Sequence, residues 1–200
     1  MITVRQIERL WSTRSYRKLS EELAAARAEG GFSIEATDRP CFVAALSMVR
    51  LDELSQSHLP FYAKLLQAVL AAQDADGGWQ DPACTAMCLR ALLLGHGDGA
   101  AIERGFEYLA RLQKDEGAWP IGPIRRMPAE ASATLFILYE LGDVPRFRQA
   151  VRFSDALGWF SAQLKSLGRA CQEQWEWVGL KCRVNSTPAV RTPQAELFAA

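Results

Sequence analysis

The chain has 200 residues, 49% of them hydrophobic and 23% charged, and its 23 Lys and Arg residues balance its 23 Asp and Glu residues. This composition is typical of one globular domain, and the lack of a basic block argues against a nucleic-acid partner. The longest apolar runs are too short to span a bilayer, and residues 1–11 lack the apolar region of a signal peptide, so we expect a cytoplasmic protein without a membrane span.

Helical periodicity is the main signal along the chain, and no strand-like alternation of useful length occurs. The periodic segments form pairs, which in chain order are residues 21–33 with 39–51, a segment ending near 73 with 84–95, 104–113 with 132–142, and 153–168 with 173–184. We therefore predict an all-α fold, a curved array of about four helical hairpins over residues 1–184, followed by an irregular tail over residues 185–200.

A Gln-x-x-x-Gly-x-Trp motif joins the helices of the two central pairs. Its two copies begin forty positions apart and consist of Gln73, Gly77 and Trp79, and of Gln113, Gly117 and Trp119. We expect the Gln oxygen to accept hydrogen bonds from unpaired N–H groups at the start of a neighbouring helix, the indole to cover that contact, and the Gly to permit a positive φ. After the first copy, Asp81 and Pro82 are expected to begin the next helix as N-cap and first-turn residues.

The segments "QDADGGW" (73–79) and "RGFEYLARLQKDEGAW" (104–119) resemble the QW repeat of squalene and oxidosqualene cyclases. In looser form they resemble the repeats of class II diterpene cyclases and of protein prenyltransferase β-subunits. The resemblance is clear over residues 61–142, and if the flanking helical pairs are further copies of the repeat it covers most of residues 14–184. It implies a partial α/α toroid, in which inner helices line an apolar cavity that holds an isoprenoid.

The motif of the cyclase proton donor is not retained. These cyclases begin one inner helix with Asp-x-Asp-Asp-Thr-Ala, whose central Asp is the acid, whereas residues 81–86 read "DPACTA". The acid's position is therefore held by Ala83, which cannot donate a proton. Asp81 is retained and is predicted to help in any catalysis.

The next repeat offers a replacement acid. Its corresponding stretch is "PAEASA" (128–133), and aligning Ser132-Ala133 with Thr85-Ala86 places Glu130 in the acid's column. Burial would favour a protonated carboxyl there, while a helix N-terminus favours the ionised form. Glu130 is therefore the candidate catalytic acid, and the alternative is a first-turn Glu that helps to start its helix.

Ligand-binding candidates lie along the predicted inner helices. They are Asp38, Cys84, Phe136 and Tyr139, together with Arg125 and Arg126, which precede an inner helix. The aromatic rings would contact an apolar ligand or a carbocation, and the two Arg residues would bind a diphosphate. Packing between helices and surface solvation are the alternative roles for these residues.

The cysteines raise the question of a metal. Five are scattered along the chain, which favours reduced thiols over a disulfide framework. "DRPC" (38–41) and "DPAC" (81–84), with Cys88 one turn beyond, suggest soft-metal ligands. However, the zinc-binding Asp-x-Cys spacing of the prenyltransferases is absent and no His is suitably placed, so we assign no metal and no cofactor.

Four hairpins are fewer than a closed ring of this family uses, which is about six. The open array would leave two apolar ends, and exposed apolar patches usually mark an interface. We expect a homodimer, a partner chain that completes the ring, or terminal segments that fold over the ends.

The leading functional hypothesis is an isoprenoid-binding protein, possessing cyclase-type chemistry if Glu130 is active. The alternatives are a non-catalytic repeat module that binds a peptide or partner protein, and a zinc-dependent prenyltransferase-like protein.

Overall fold

The computed structural model describes residues 40–120, 127–167 and 169–184, and in these ranges it contains α-helices and no strand. The helices are α1 (Pro40–Glu53), α2 (Pro60–Ala71), α3 (Pro82–Leu94), α4 (Gly99–Leu112), α5 (Met127–Leu141), α6 (Pro145–Ala150), α7 (Phe153–Gln163) and α8 (Arg169–Val184), with a 3₁₀ turn at Leu164–Ser166. The prediction of an all-α fold is confirmed for this part of the chain.

The helices form two layers. Helices α1, α3, α5 and α8 pack side by side in chain order and form one row, which we call the inner row. Helix α2 packs on α1 and α3, α4 packs on α3, and α7 packs on α5, so these three helices form an outer layer. The predicted first helix of the first hairpin (21–33) and the tail (185–200) lie outside the described residues.

Local sequence explains where the helices begin. Helices α2, α3 and α6 each carry a Pro in the first turn, where a missing N–H costs no hydrogen bond. Asp81 is the N-cap of α3, and its Oδ1 accepts a hydrogen bond from the Cys84 N–H at 2.8 Å. Asp98 caps α4 in the same way, through the Ala100 N–H at 3.0 Å.

The core lies between the two layers. Helix α3 is in the middle of the inner row, and ten of its residues are buried, so it has no polar face. Helix α4 is amphipathic and buries Ile102, Phe106 and Leu109 against the row. No helix in the described ranges is both long enough and apolar enough to cross a membrane.

Candidate functional site

The two Gln-Trp motifs form corners between the layers. In the first corner, the Gln73 side-chain amide donates to the carbonyl oxygens of Gly77 and Ala101, both at 2.9 Å. Its Oε1 accepts a hydrogen bond from the Arg104 guanidinium at 2.6 Å. Because Ala101 belongs to the first turns of α4, Gln73 ties the end of α2 to the beginning of the next outer helix.

The second corner repeats this arrangement with main-chain partners only. The Gln113 amide donates to the carbonyl oxygens of Gly117 at 2.9 Å and Arg152 at 3.0 Å. Its Oε1 accepts from the Arg152 N–H at 2.8 Å, and Arg152 is the N-cap of α7. Here the Gln oxygen accepts a hydrogen bond from a backbone N–H at the start of a helix, as expected from the sequence. In the first corner the donor is a guanidinium instead.

Both indoles are fully buried and make the same hydrogen bond. The Trp79 Nε1–H donates to the Val69 carbonyl at 2.7 Å, and the Trp119 Nε1–H donates to the Leu109 carbonyl at 2.8 Å. In each case the acceptor lies ten residues upstream in the preceding outer helix. The indole therefore fastens the corner to the outer layer while it fills the core beneath it.

The backbone N–H of each Trp reveals which residues of the inner helices are equivalent. The Trp79 N–H donates to the Thr85 Oγ1 at 2.9 Å, and the Trp119 N–H donates to the Thr134 Oγ1 at 3.0 Å. Thr134 is thus the counterpart of Thr85, which corrects the sequence alignment by two residues. In this register Ser132 is the counterpart of Ala83, and Glu130 is the counterpart of Asp81.

Glu130 lies in the first turn of α5 and is 5% exposed. Its Oε1 is 2.6 Å from the Nζ of Lys114, which is itself 3.9 Å from Glu116. This contact is an ion pair with a charge-assisted hydrogen bond from the ammonium to the carboxylate. The structure thus gives Glu130 and Asp81 helix-start positions, and their catalytic role stays a prediction.

The other predicted ligand-binding residues are separated along the inner row. Phe136 is buried with its ring centroid 6.4 Å from that of Phe42, between α1 and α5. The Lys181 ammonium lies 3.9 Å from the ring centroid of Tyr139 and donates to its carbonyl oxygen at 2.8 Å. Asp38, Arg125 and Arg126 lie outside the described residues.

Three thiols meet between α1 and α3. The Sγ atoms of Cys41, Cys84 and Cys88 all lie within 4.8 Å of one another, and all three residues are buried. Cys41 and Cys84 are in contact, with 3.6 Å between their sulfurs. Hydrogen bonds from Cys84 and Cys88 lower the pKa of Cys41, and the same bond to Cys41 raises the pKa of Cys84. Burial is the main cause that raises the pKa of Cys88.

A cluster of charged side chains towards the C-terminal ends of α3 and α5 was not predicted from the sequence. Glu140 is 8% exposed near the end of α5, and burial raises its pKa, against the opposing influence of Lys181 and Arg90. Arg90 forms an ion pair with Asp143 at 3.2 Å. The available signal was a single acidic residue inside the otherwise apolar run "ATLFILYEL" (133–141).

A groove of about 560 Å³ lies beside the first corner, on the outer layer. Asp76, Arg104 and Tyr108 contribute to its wall. Burial, followed by the nearby carboxylates, raises the pKa of Tyr108 to about 12, and its hydroxyl donates to the Gln80 carbonyl at 3.2 Å. This lining is polar, and it differs in character from the apolar groove that is predicted along the inner row. Comparison of the chain with protein families, with curated proteins and with solved structures found no match.

Proposed function

We propose that this chain is a QW-repeat protein of the terpenoid cyclase and prenyltransferase type, and that its inner row lines an apolar groove that binds an isoprenoid. The observation that carries the proposal is the repetition of the Gln-Trp corner. Trp79 and Trp119 make the same indole hydrogen bond and the same backbone hydrogen bond to a Thr, and each follows a positive-φ Gly by two residues. Such a corner is what the QW resemblance predicts.

The proposed ligand face follows from the corrected register. The acid's column contains Ala83 on α3 and Ser132 on α5, and one turn further along are Met87 and Phe136. These side chains are small or apolar, which suits a hydrocarbon chain. Since neither Ala83 nor Ser132 is an acid, we propose ligand binding without class II protonation.

Incubation of the purified protein with squalene, or with geranylgeranyl diphosphate, tests both retention and turnover of an isoprenoid. After removal of free ligand, extraction and mass spectrometry measure what remains bound. We expect unchanged isoprenoid to be retained. Ser132→Phe fills the proposed groove and is expected to reduce retention at least tenfold, or about 1.4 kcal/mol. Ser154→Phe places the same ring on an exposed position of α7 and is the matched control.

The outcomes separate the hypotheses. If the wild-type protein retains neither isoprenoid, or if the two Phe variants behave alike, the proposed groove is refuted. A cyclised product that disappears in Glu130→Gln would contradict the proposal of binding without protonation and would assign the acid to Glu130.

A second candidate concerns a partner chain, and it is favoured by the exposed end of the inner row. Trp177 and Leu180, three residues apart on α8, are 61% and 52% exposed. We propose that a second copy of the chain covers this end, as expected for an open array. A mass measurement in solution over a range of concentrations tests this, and Trp177→Ser is expected to shift the mass towards the monomer. A wild-type protein that is monomeric at all concentrations would refute the second candidate.

A further inference from the structure

We propose that Cys41, Cys84 and Cys88 bind one zinc ion, which joins α1 to α3. Zinc binds thiolate sulfur at about 2.3 Å, so two sulfurs in a tetrahedral site lie about 3.8 Å apart. The three Sγ atoms here lie 3.6 Å apart at the closest pair and within 4.8 Å overall. Shifts of less than about 1 Å would therefore bring all three to one ion.

Packing alone does not account for three sulfurs at this place. The register set by Thr85 and Thr134 makes Ala133 and Ile137 the counterparts of Cys84 and Cys88 in the next inner helix. Both counterparts are buried, and neither is a cysteine. An aliphatic side chain therefore suffices for packing there, while the contact between α1 and α3 has three thiols that converge from two helices.

The positions of two of the thiols also suit the charge of a thiolate site. Cys41 is the second residue of α1 and Cys84 is the third residue of α3. Helix N-termini carry a partial positive charge, which stabilises thiolates close to them. On binding, three thiol protons pass to solvent, three zinc–sulfur bonds form, and no electron is transferred.

The three protein ligands define the kind of site. Within the described residues, no fourth Cys, His or carboxylate joins the group. A tetrahedral zinc site takes four ligands, so three thiolates leave one position for a further ligand. The all-sulfur set differs from the Asp-x-Cys pattern sought in the sequence, so the site is independent of the isoprenoid proposal.

Metal titration tests the proposal. The full-length protein is reduced with a phosphine, stripped with a chelator, and titrated with Zn²⁺ against a chromogenic chelator. We expect one zinc per chain. With Co²⁺ in place of Zn²⁺, we expect thiolate-to-cobalt charge-transfer absorption and the visible bands of a tetrahedral ion.

Single Cys→Ala variants identify the ligands. Cys41→Ala, Cys84→Ala and Cys88→Ala are each expected to weaken zinc binding by more than about 100-fold, since loss of even outer-shell partners costs up to that factor. Cys182→Ala is the matched control, because Cys182 lies far along α8 with its Sγ donating to the Gly142 carbonyl. Circular dichroism of the metal-free variants verifies that they fold. We expect Cys84→Ala to fold, because its counterpart in the next inner helix, Ala133, is already an Ala.

Two results would overturn the zinc site. One is the absence of zinc binding by the wild-type protein, including the case in which it binds Cu(I) instead. The other is zinc binding that survives removal of any of the three thiols in a folded variant.

Discussion

Gly117→Ala is the sharpest test of the corner geometry. Gly117 has φ of +98°, and a Cβ built on it would lie 2.4 Å from the carbonyl carbon of Asp155 and 2.5 Å from the backbone nitrogen of Ala156. The left-handed conformation costs an L-residue about 1–2 kcal/mol. The overlap is with backbone at the start of α7, which cannot rotate away, and overpacking of this kind costs a further 1–3 kcal/mol or so. The expected loss is therefore about 2–5 kcal/mol.

Urea unfolding, followed by tryptophan fluorescence and circular dichroism, measures this loss. Gly158→Ala is the matched control on α7, because its added Cβ has nothing within 4 Å, and we expect it to gain about 0.5–1 kcal/mol. Gly77→Ala is expected to behave like Gly117→Ala, since Gly77 has φ of +90° and its Cβ would lie 2.6 Å from the Arg104 carbonyl oxygen. A Gly117→Ala protein as stable as wild type would refute the reasoning about the corners.

Four further substitutions test individual contacts. Gln113→Ala should lower the free energy of unfolding by about 3 kcal/mol, because it removes three hydrogen bonds with the main chain. Gln73→Ala should lower it by less, because Gln73 is more exposed, and urea titration of both proteins measures the difference. Thr134→Val should cost about 1–3 kcal/mol by leaving the buried Trp119 N–H unpaired, and equal stability with wild type would contradict that hydrogen bond. Burial raises the pKa of Glu140, so the stability of the wild-type protein should fall as the pH rises from the unfolded-state pKa through the folded-state pKa. Glu140→Gln should remove this fall and should have a higher melting temperature than the wild type at pH 7. Thermal unfolding measured across pH tests both expectations.

The long helices were predictable because their sequences are locally consistent. The predicted segments 84–95, 104–113 and 132–142 correspond to parts of α3, α4 and α5, and the Gly and Trp of each corner mark the breaks between them. Helix α6 was not predicted, because six residues are too short for a periodicity to be read. It depends on Pro145 in its first turn and on Phe147, which packs in the core beside Trp119.

The site depended on contacts that no local pattern contains. The ion pair of Glu130 with Lys114 joins two segments 16 residues apart, across a connection that is longer than its counterpart in the first repeat. All three cysteines were identified from the sequence, but only Cys84 and Cys88, one turn apart on α3, were predictably close, because Cys41 lies 43 residues upstream of Cys84. Sequence spacing identified these residues as candidates, but only the packing of α1 on α3 brings the third sulfur to the other two.

The residues that stabilise the two corners are distinct from those of the proposed ligand face, and the unequal spacing of equivalent residues shows this. The two Trp residues are forty positions apart, whereas Thr85 and Thr134 are 49 positions apart and Ala101 and Arg152, the equivalent carbonyl partners, are 51 apart. The hydrogen bonds of the Gln amide, the indole and the Trp backbone N–H are nevertheless the same in both corners. Because the corner fixes each inner helix through its Thr, Ala83 and Ser132 take no part in the corner hydrogen bonds. Substitutions at these two positions therefore test the proposed ligand binding, while substitutions in the corners test folding.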